Sequence, residues 1–123
     1  MPWDLKPDRP IYTQLVEHIE WMILSGVYPP GSKLPSVRDL AKEASVNPNT
    51  MQRALAQLEE DGLIITHRTS GRSITEDSEM IQKARIRIAR EQVSEFLEKM
   101  KKLGFDKKEI LSIITGMNEE VGK

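Results

Sequence analysis

Apolar residues recur at helical spacing in three segments of the first half of the chain, and polar or turn-forming residues separate these segments. The first segment opens at Pro10 and ends at Gly26, and its apolar stripe consists of Tyr12, Leu15, Val16, Ile19, Met22 and Ile23. The second follows Ser36, and the third runs from Asn47 to Gly62. This spacing predicts three helices, the last two joined by a tight turn.

Small polar residues stand where the second and third helices begin. Ser36 is followed three residues later by Asp39, which is close to the capping-box pattern. Asn47 can accept a hydrogen bond from the exposed N–H groups of the third helix, and Pro48 fits its first turn because an N–H is not needed there. Two short helices joined in this way form a helix-turn-helix, whose second helix can enter the major groove of DNA.

After Gly62 the pattern changes from helical to β. Residues 63–67 are rich in β-forming side chains, residues 68–71 predict a turn, and residues 72–75 can return as a second strand. Three helices and a two-stranded hairpin make a mainly α fold, a winged helix-turn-helix with one small core. We expect this DNA-binding domain to span residues 1–75.

The remaining residues, 76–123, predict a helical dimerisation tail. One long helix is expected from about Asp77 to Leu103, and a capping box at Asp106 to Glu109 opens a last helix. Two such helices cannot bury both apolar faces against each other alone, which favours a homodimer. The side chains expected at its interface are Ile81, Ala84, Ile88, Phe96, Leu97, Met100, Leu103, Ile110, Ile113, Ile114 and Met117.

The charge balance does not by itself support nucleic-acid binding. Residues 1–75 contain eight Lys or Arg against nine Asp or Glu, and the whole chain has a formal net charge of −1. A neutral monomer binds DNA weakly, since most non-specific affinity comes from neutralised phosphates. The segment 62–75, however, carries His67, Arg68 and Arg72 without an acidic residue. A dimer that doubles this local positive face could bind DNA despite its balanced total.

Other compositional features narrow the function classes. The chain has no cysteine, which excludes disulfides and thiolate metal sites and fits a reducing cytoplasm. We expect no membrane span, because no apolar run approaches about 18 residues. We expect no signal peptide, because Met1-Pro2-Trp3-Asp4 lacks both a basic start and an apolar core. The two histidines, His18 and His67, lie in different predicted elements. We therefore expect no metal site, no cofactor and no enzymatic activity.

Several motifs of residues 10–75 resemble the N-terminal domain of the GntR family of bacterial transcriptional regulators. The residues that carry the resemblance are Pro10-Ile11-Tyr12, Gly26-Val27-Tyr28-Pro29-Pro30-Gly31-Ser32-Lys33-Leu34-Pro35-Ser36, Arg38, Leu40-Ala41, Val46-Asn47, Thr50, Ala54, Leu58 and Gly62-Leu63-Ile64. The short two-helix tail resembles the YtrA-type subfamily, whose members lack the large effector-binding domain of other branches. The resemblance implies a cytoplasmic, homodimeric repressor that binds an inverted-repeat operator, with a transporter operon among its targets. An inducer, if one exists, is expected to bind at the dimer core or near Thr75.

The resemblance also implies a set of DNA contacts. The family places an arginine at Arg38 that reaches DNA, and its fork can bond a guanine edge or a phosphate. Several family members have a basic residue where Pro48 stands, so base contacts are expected to shift to Arg38, Asn49 and Gln52. The residues expected to contact DNA are Ser36, Arg38, Asn47, Asn49, Thr50, Gln52, Arg53, His67, Arg68, Gly71 and Arg72.

Each of these assignments has an alternative that the residues leave open. Arg38 could be a solvated arginine paired with Asp39 or Glu43, and Ser36 and Asn47 could serve only as helix caps. Arg53 could instead pair near Asp61 or stay solvated. The wing carries Ser73 and the following isoleucine where many family members have an aromatic residue, which leaves its pose on DNA open. For the whole chain, the alternative function is a protein interaction adaptor that uses the tail helices.

Overall fold

The computed structural model describes residues 3–121, with side chains described up to residue 117. Within this part of the chain there are five helices and one antiparallel pair of strands, which confirms the mainly α fold with a wing. In chain order the elements are α1 (Ile11–Leu24), α2 (Val37–Ala44), α3 (Pro48–Glu60), β1 (Ile64–His67), β2 (Gly71–Ile74), α4 (Ser78–Lys102) and α5 (Lys107–Val121).

The predicted caps of the helix-turn-helix are present. The Ser36 hydroxyl accepts from the N–H of Asp39 at 3.1 Å, and the Asn47 side-chain oxygen accepts from the N–H of Asn49 at 2.7 Å. Between them, Ser45 ends α2 in the left-handed conformation with φ 57°. Since the capping residue of α3 follows so closely, the turn is short and the two helix starts are fixed locally.

One hydrophobic core holds α1, α2, α3 and the hairpin together. Helix α3 packs against α1, α2 and β1. Its buried face consists of Met51, Ala54, Leu55 and Leu58, as the helical spacing predicts. The largest fully buried side chains that surround this face are Leu15, Ile19, Leu40, Leu63, Ile64 and Ile74.

A third segment of chain extends the two-stranded sheet. Strand β1 pairs with β2 in a register that places Ile64 opposite Ile74. On the other side of β2, the N–H of Ile74 donates to the carbonyl of Ser32 at 2.8 Å, and an isolated bridge joins Lys33 to Ser73. The turn-forming residues that separate the first two helical segments gave no sign of a strand, so this pairing is an addition to the expected topology.

The chain divides into two compact units, one up to Arg85 and one from Ile86. The division lies within α4 and beyond the expected boundary after residue 75. The reason is that Met80 and Ile81 pack against the first unit's core and Ala84 is part of it. Ile81 and Ala84 were both expected at a dimer interface, and in the structure they pack in or against the core of the first unit.

The second unit contains the rest of α4 and the whole of α5. The predicted capping box is confirmed: the N–H of Glu109 donates to the Asp106 carboxylate at 2.8 Å, and the N–H of Asp106 donates to the Glu109 carboxylate at 2.9 Å. Within this unit Ile88 and Ile110 are buried. None of the helices in the described part of the chain combines the length and apolar character needed to cross a bilayer.

Candidate nucleic-acid interface

The solvent-facing side of α3 is polar along its first turns. Asn49, Gln52 and Arg53 are exposed, while Thr50 is half-buried. Because the opposite face is anchored in the core, these side chains project from a rigid helix. Asn and Gln amides can each offer a donor and an acceptor to an adenine edge in the major groove. The start of α3 thus carries the chemistry expected of a recognition helix.

The two capping residues keep part of their bonding capacity. The cap at Asn47 uses its side-chain oxygen, and the amide NH2 group is not needed for it. The cap at Ser36 uses one lone pair of an exposed hydroxyl. Both residues can therefore cap their helices and still form hydrogen bonds to DNA, so the capping role and the DNA-binding role are compatible.

Arg38 stands beside the start of the recognition helix. It is the second residue of α2 and is exposed. It lines one groove together with Pro48, at the first position of α3. Among the described residues no ion pair holds its guanidinium, so the alternative of pairing with Asp39 or Glu43 is not realised. Arg38 supplies a cation next to the point where α3 begins.

Arg53 makes a contact that the sequence did not predict. Its guanidinium carbon lies 4.6 Å from the centroid of the Tyr12 ring, so the cation stacks on the aromatic face. The Tyr12 hydroxyl donates to the Gln57 side-chain oxygen at 3.0 Å, and the Gln57 amide donates to the Asp61 carboxylate at 3.0 Å. The sequence placed Tyr12 in the apolar stripe of α1 and in a motif shared with the GntR family, and neither pattern gave any sign of a partner in α3.

The wing exposes one arginine more fully than the other. Residues 68–70 form the turn, so Arg68 is exposed at its tip, and Gly71 follows with φ 87°. Arg72 is half-buried, and its Nε atom is buried without a hydrogen-bond partner among the described residues. His67 lies 2.7 Å from the Ser73 hydroxyl through its Nε2 atom, which holds the ring across the hairpin.

The second unit presents a broad apolar surface to solvent. Its exposed large side chains are Ile86, Val93, Phe96, Leu103, Leu111, Ile113, Ile114 and Met117. Ile86, Ala89, Val93 and Leu97 line one groove, and their spacing along α4 is helical. Ile86, Val93 and Leu111 were absent from the expected interface, although this spacing could have identified the first two. Ile88 and Ile110, which were expected there, are buried by their own chain.

The described part of the chain contains no group of three or more His, Asp or Glu side chains that could hold a metal ion. The polar groups of the site are instead distributed along the start of α3, the start of α2 and the wing tip. Amides, hydroxyls and guanidinium groups arranged along one helix and one hairpin suit a long polyanion with readable base edges.

Known proteins with similar sequences are transcriptional regulators. Residues 11–74 match the family model described as bacterial regulatory proteins, gntR family. The uncharacterized HTH-type transcriptional regulator YhcF of Bacillus subtilis is 37% identical over 111 residues, covering 90% of this chain and 92% of YhcF. The HTH-type transcriptional repressor YtrA of Bacillus subtilis is 41% identical over 75 residues, covering 61% of this chain and 58% of YtrA.

Solved structures show the same fold. A GntR family transcriptional regulator from Listeria monocytogenes superposes with a TM-score of 0.84 at 40% identity, covering 91% of this chain and 98% of that one. The DNA-binding domain of AraR, solved in complex with operator ORX1, matches 61% of this chain and 92% of that one at 25% identity and a TM-score of 0.53. This chain belongs to the GntR family of bacterial transcriptional regulators, and its winged helix-turn-helix is a DNA-binding domain.

Proposed function

We propose that this chain is a homodimeric repressor that binds an inverted-repeat operator through the start of α3, the start of α2 and the wing. The observation that carries the proposal is the exposed polar face of α3, with Arg38 beside its first turn. Asn49 and Gln52 would read base edges in the major groove, and Arg38 would bond a guanine or a phosphate. Arg68 would reach the minor groove or the backbone from the wing tip.

The proposed dimer follows from charge and from the tail. A single copy has a formal net charge of −1, so it lacks the excess of cations that holds a monomer on DNA. The exposed side chains Val93, Phe96 and Ile114 provide apolar surface for a second copy. Two copies would present two recognition helices to successive major grooves, which would require an operator with twofold symmetry.

The proposed direction of regulation is repression. The relative YtrA is named a repressor, and a dimer bound across a promoter blocks polymerase sterically. The likeness of the short tail to YtrA-type regulators supports a transporter operon as one target. DNA of this kind lies in the bacterial cytoplasm, where the regulator would act. An effector would act by changing the spacing of the two DNA-binding domains, from the dimer core or from near Thr75.

The experiment is a titration of the full-length protein against DNA upstream of its own gene and its neighbours, followed by fluorescence anisotropy. The wild type should bind a segment that contains an inverted repeat. Arg38→Ala should weaken this binding about ten- to hundredfold, the loss expected for one arginine contact in each half-site. Arg85→Ala is the matched control, because it removes an exposed arginine from α4 and leaves the proposed DNA-binding surface intact.

The outcome separates the two functions considered for this chain. A DNA-binding regulator loses operator affinity with Arg38→Ala and keeps it with Arg85→Ala. A protein interaction adaptor gives no sequence-dependent binding for any of the three proteins, even at low salt. That second result would overturn the proposal.

A further inference from the structure

The Tyr12 side chain lies in contact with the recognition helix from outside it. Tyr12 belongs to the first turn of α1, yet its ring stacks against the Arg53 guanidinium and its hydroxyl donates to the Gln57 side chain. Arg53 and Gln57 are four residues apart, so they are neighbours on one face of α3. One aromatic side chain therefore touches two successive turns of the recognition helix along its flank.

This arrangement restricts an arginine that would otherwise move freely. An exposed arginine has several rotatable bonds and loses considerable entropy when it is fixed on a ligand. The Tyr12 ring supports one face of the guanidinium without using its N–H groups, which point out in the guanidinium plane. The bond from Tyr12 to Gln57 holds the ring in place, and the bond from Gln57 to Asp61 holds the acceptor. Arg53 is thus oriented before any ligand arrives.

The position of Arg53 fits a phosphate better than a base. Its head leans toward α1, at the side of α3, while Asn49 and Gln52 are exposed near the helix start. A helix lying in the major groove has the sugar-phosphate backbones at its sides. The N–H edge of a guanidinium held at that side can bond two phosphate oxygens.

We propose that Tyr12 is a positioning residue for DNA binding, which holds Arg53 in the orientation that grips a phosphate of the operator backbone. The inference rests on the DNA interface proposed above and adds a residue of α1 to it. Fixed cations matter more here than in a strongly basic protein, since residues 1–75 contain only eight Lys or Arg. Tyr12 itself makes no contact with DNA in this arrangement; its effect passes through Arg53.

The test measures operator affinity and its salt dependence for Arg53→Met, Tyr12→Leu, Tyr12→Phe and the double variant Tyr12→Leu/Arg53→Met. Arg53→Met should weaken binding about three- to tenfold and lower the slope of log K against log salt by about 0.9 for each DNA-binding domain. Tyr12→Leu should reproduce both changes. Tyr12→Phe loses the hydroxyl bond to Gln57 but keeps the ring beneath the guanidinium, so its loss of affinity should be smaller than that of Tyr12→Leu and no more than about twofold.

The affinity of the double variant distinguishes a positioning role of Tyr12 from an effect that does not pass through Arg53. The double variant should bind no more weakly than either single variant, because both remove the same phosphate contact. Additive losses overturn the proposal, as does a loss with Tyr12→Phe that equals the loss with Tyr12→Leu. Thermal unfolding of each variant identifies any that fail to fold.

Arg53→Met keeps the proposal falsifiable if Tyr12→Leu does not fold, because residue 53 is exposed. An unchanged affinity and salt slope in this variant would contradict the inference whatever Tyr12 does. If the wild type binds its operator and Arg38→Ala weakens it while Arg53→Met has no effect, the inference alone is wrong. If the wild type binds no operator, the proposed function is wrong.

Discussion

The N–H of Leu34 donates to the carbonyl of Arg72 at 2.9 Å, which joins the chain entering α2 to the second strand of the wing. Leu34 is also buried in the core, and Ser36, which caps α2, follows two residues later. The second strand of the wing and the start of the helix-turn-helix are therefore held by one short hydrogen-bonded segment. The wing tip and α3 are both carried by the same rigid unit, so they can meet one DNA duplex with a fixed spacing.

We expect Arg68→Ala to weaken operator binding about three- to tenfold and to reduce the salt slope by about 0.9 for each DNA-binding domain. Arg68 is exposed at the wing tip, so its removal should leave the thermal unfolding temperature unchanged. The comparison is Arg72→Ala, where the side chain is half-buried and a change in stability is expected as well. Equal affinities of wild type and Arg68→Ala would show that Arg68 does not contact the DNA.

Substitutions at Asn47 can separate its cap from a DNA contact. Asn47→Ala removes the oxygen that caps α3 and should lower the free energy of unfolding by about 1 kcal/mol. Asn47→Ser keeps a good capping group and should stay within a few tenths of a kcal/mol of wild type. Both lack the amide NH2, so both should weaken operator binding if that group contacts DNA. Wild-type affinity in Asn47→Ser would assign this residue to capping alone.

The features that the sequence predicted correctly depend on neighbours a few residues away. The cap at Asn47 and the reciprocal bonds of Asp106 and Glu109 are formed within one turn, so residue type and spacing are enough to identify them. The buried face of α3 also follows from helical spacing alone.

The features that the sequence did not predict join residues far apart along the chain. Neither the pairing of Ser32 with Ile74 nor the stacking of Arg53 on Tyr12 leaves a local pattern, because each partner is compatible with many surroundings. The same is true of the tail. Helical periodicity predicts that Ile110 is buried, but it does not predict whether its own chain or a second copy buries it. The structure shows that its own chain buries it.

We expect Val93→Glu to convert the proposed homodimer to a monomer, measured by sedimentation velocity at micromolar concentration. Val93 is 54% exposed, and a carboxylate there would be buried without a partner when two tails meet. Ile65→Glu is the matched control, since Ile65 is 44% exposed on β1, outside the tail. The control should sediment as the wild type does. A Val93→Glu protein that is still a dimer would place the interface elsewhere.

Leu55→Ala should lower the free energy of unfolding by about 2–5 kcal/mol, because it leaves a cavity in the core between α3 and its neighbours. Leu55 is fully buried, whereas the next residue, Ala56, is exposed. Ala56→Ser is therefore the control and should change stability by less than about 0.5 kcal/mol. Urea unfolding measures both values. Equal midpoints for the two variants would mean that the α3 core is not packed as described.

Tyr28 should make the fold sensitive to alkaline pH. Its side chain is half-buried against the core. Burial is the larger cause, and the negative charge of the Glu43 carboxylate the smaller cause, that raises the pKa of Tyr28 above the ordinary value of 10.0. The unfolded chain therefore releases the phenol proton at lower pH than the folded chain does. The stability associated with the protonated phenol is complete below pH 10.0 and is lost as pH rises through the raised pKa.

Thermal unfolding of wild type and Tyr28→Phe, measured at about pH 8 and about pH 11, tests this sign. Lysines also titrate in this range, but they do so in both proteins, so the difference between the two proteins reports Tyr28. The unfolding temperature of Tyr28→Phe should fall less between the two pH values than that of wild type. Glu43→Gln should recover a smaller part of the difference, because the carboxylate is the lesser cause. Parallel losses in wild type and Tyr28→Phe would show that the phenol ionises equally readily in the folded and unfolded chains.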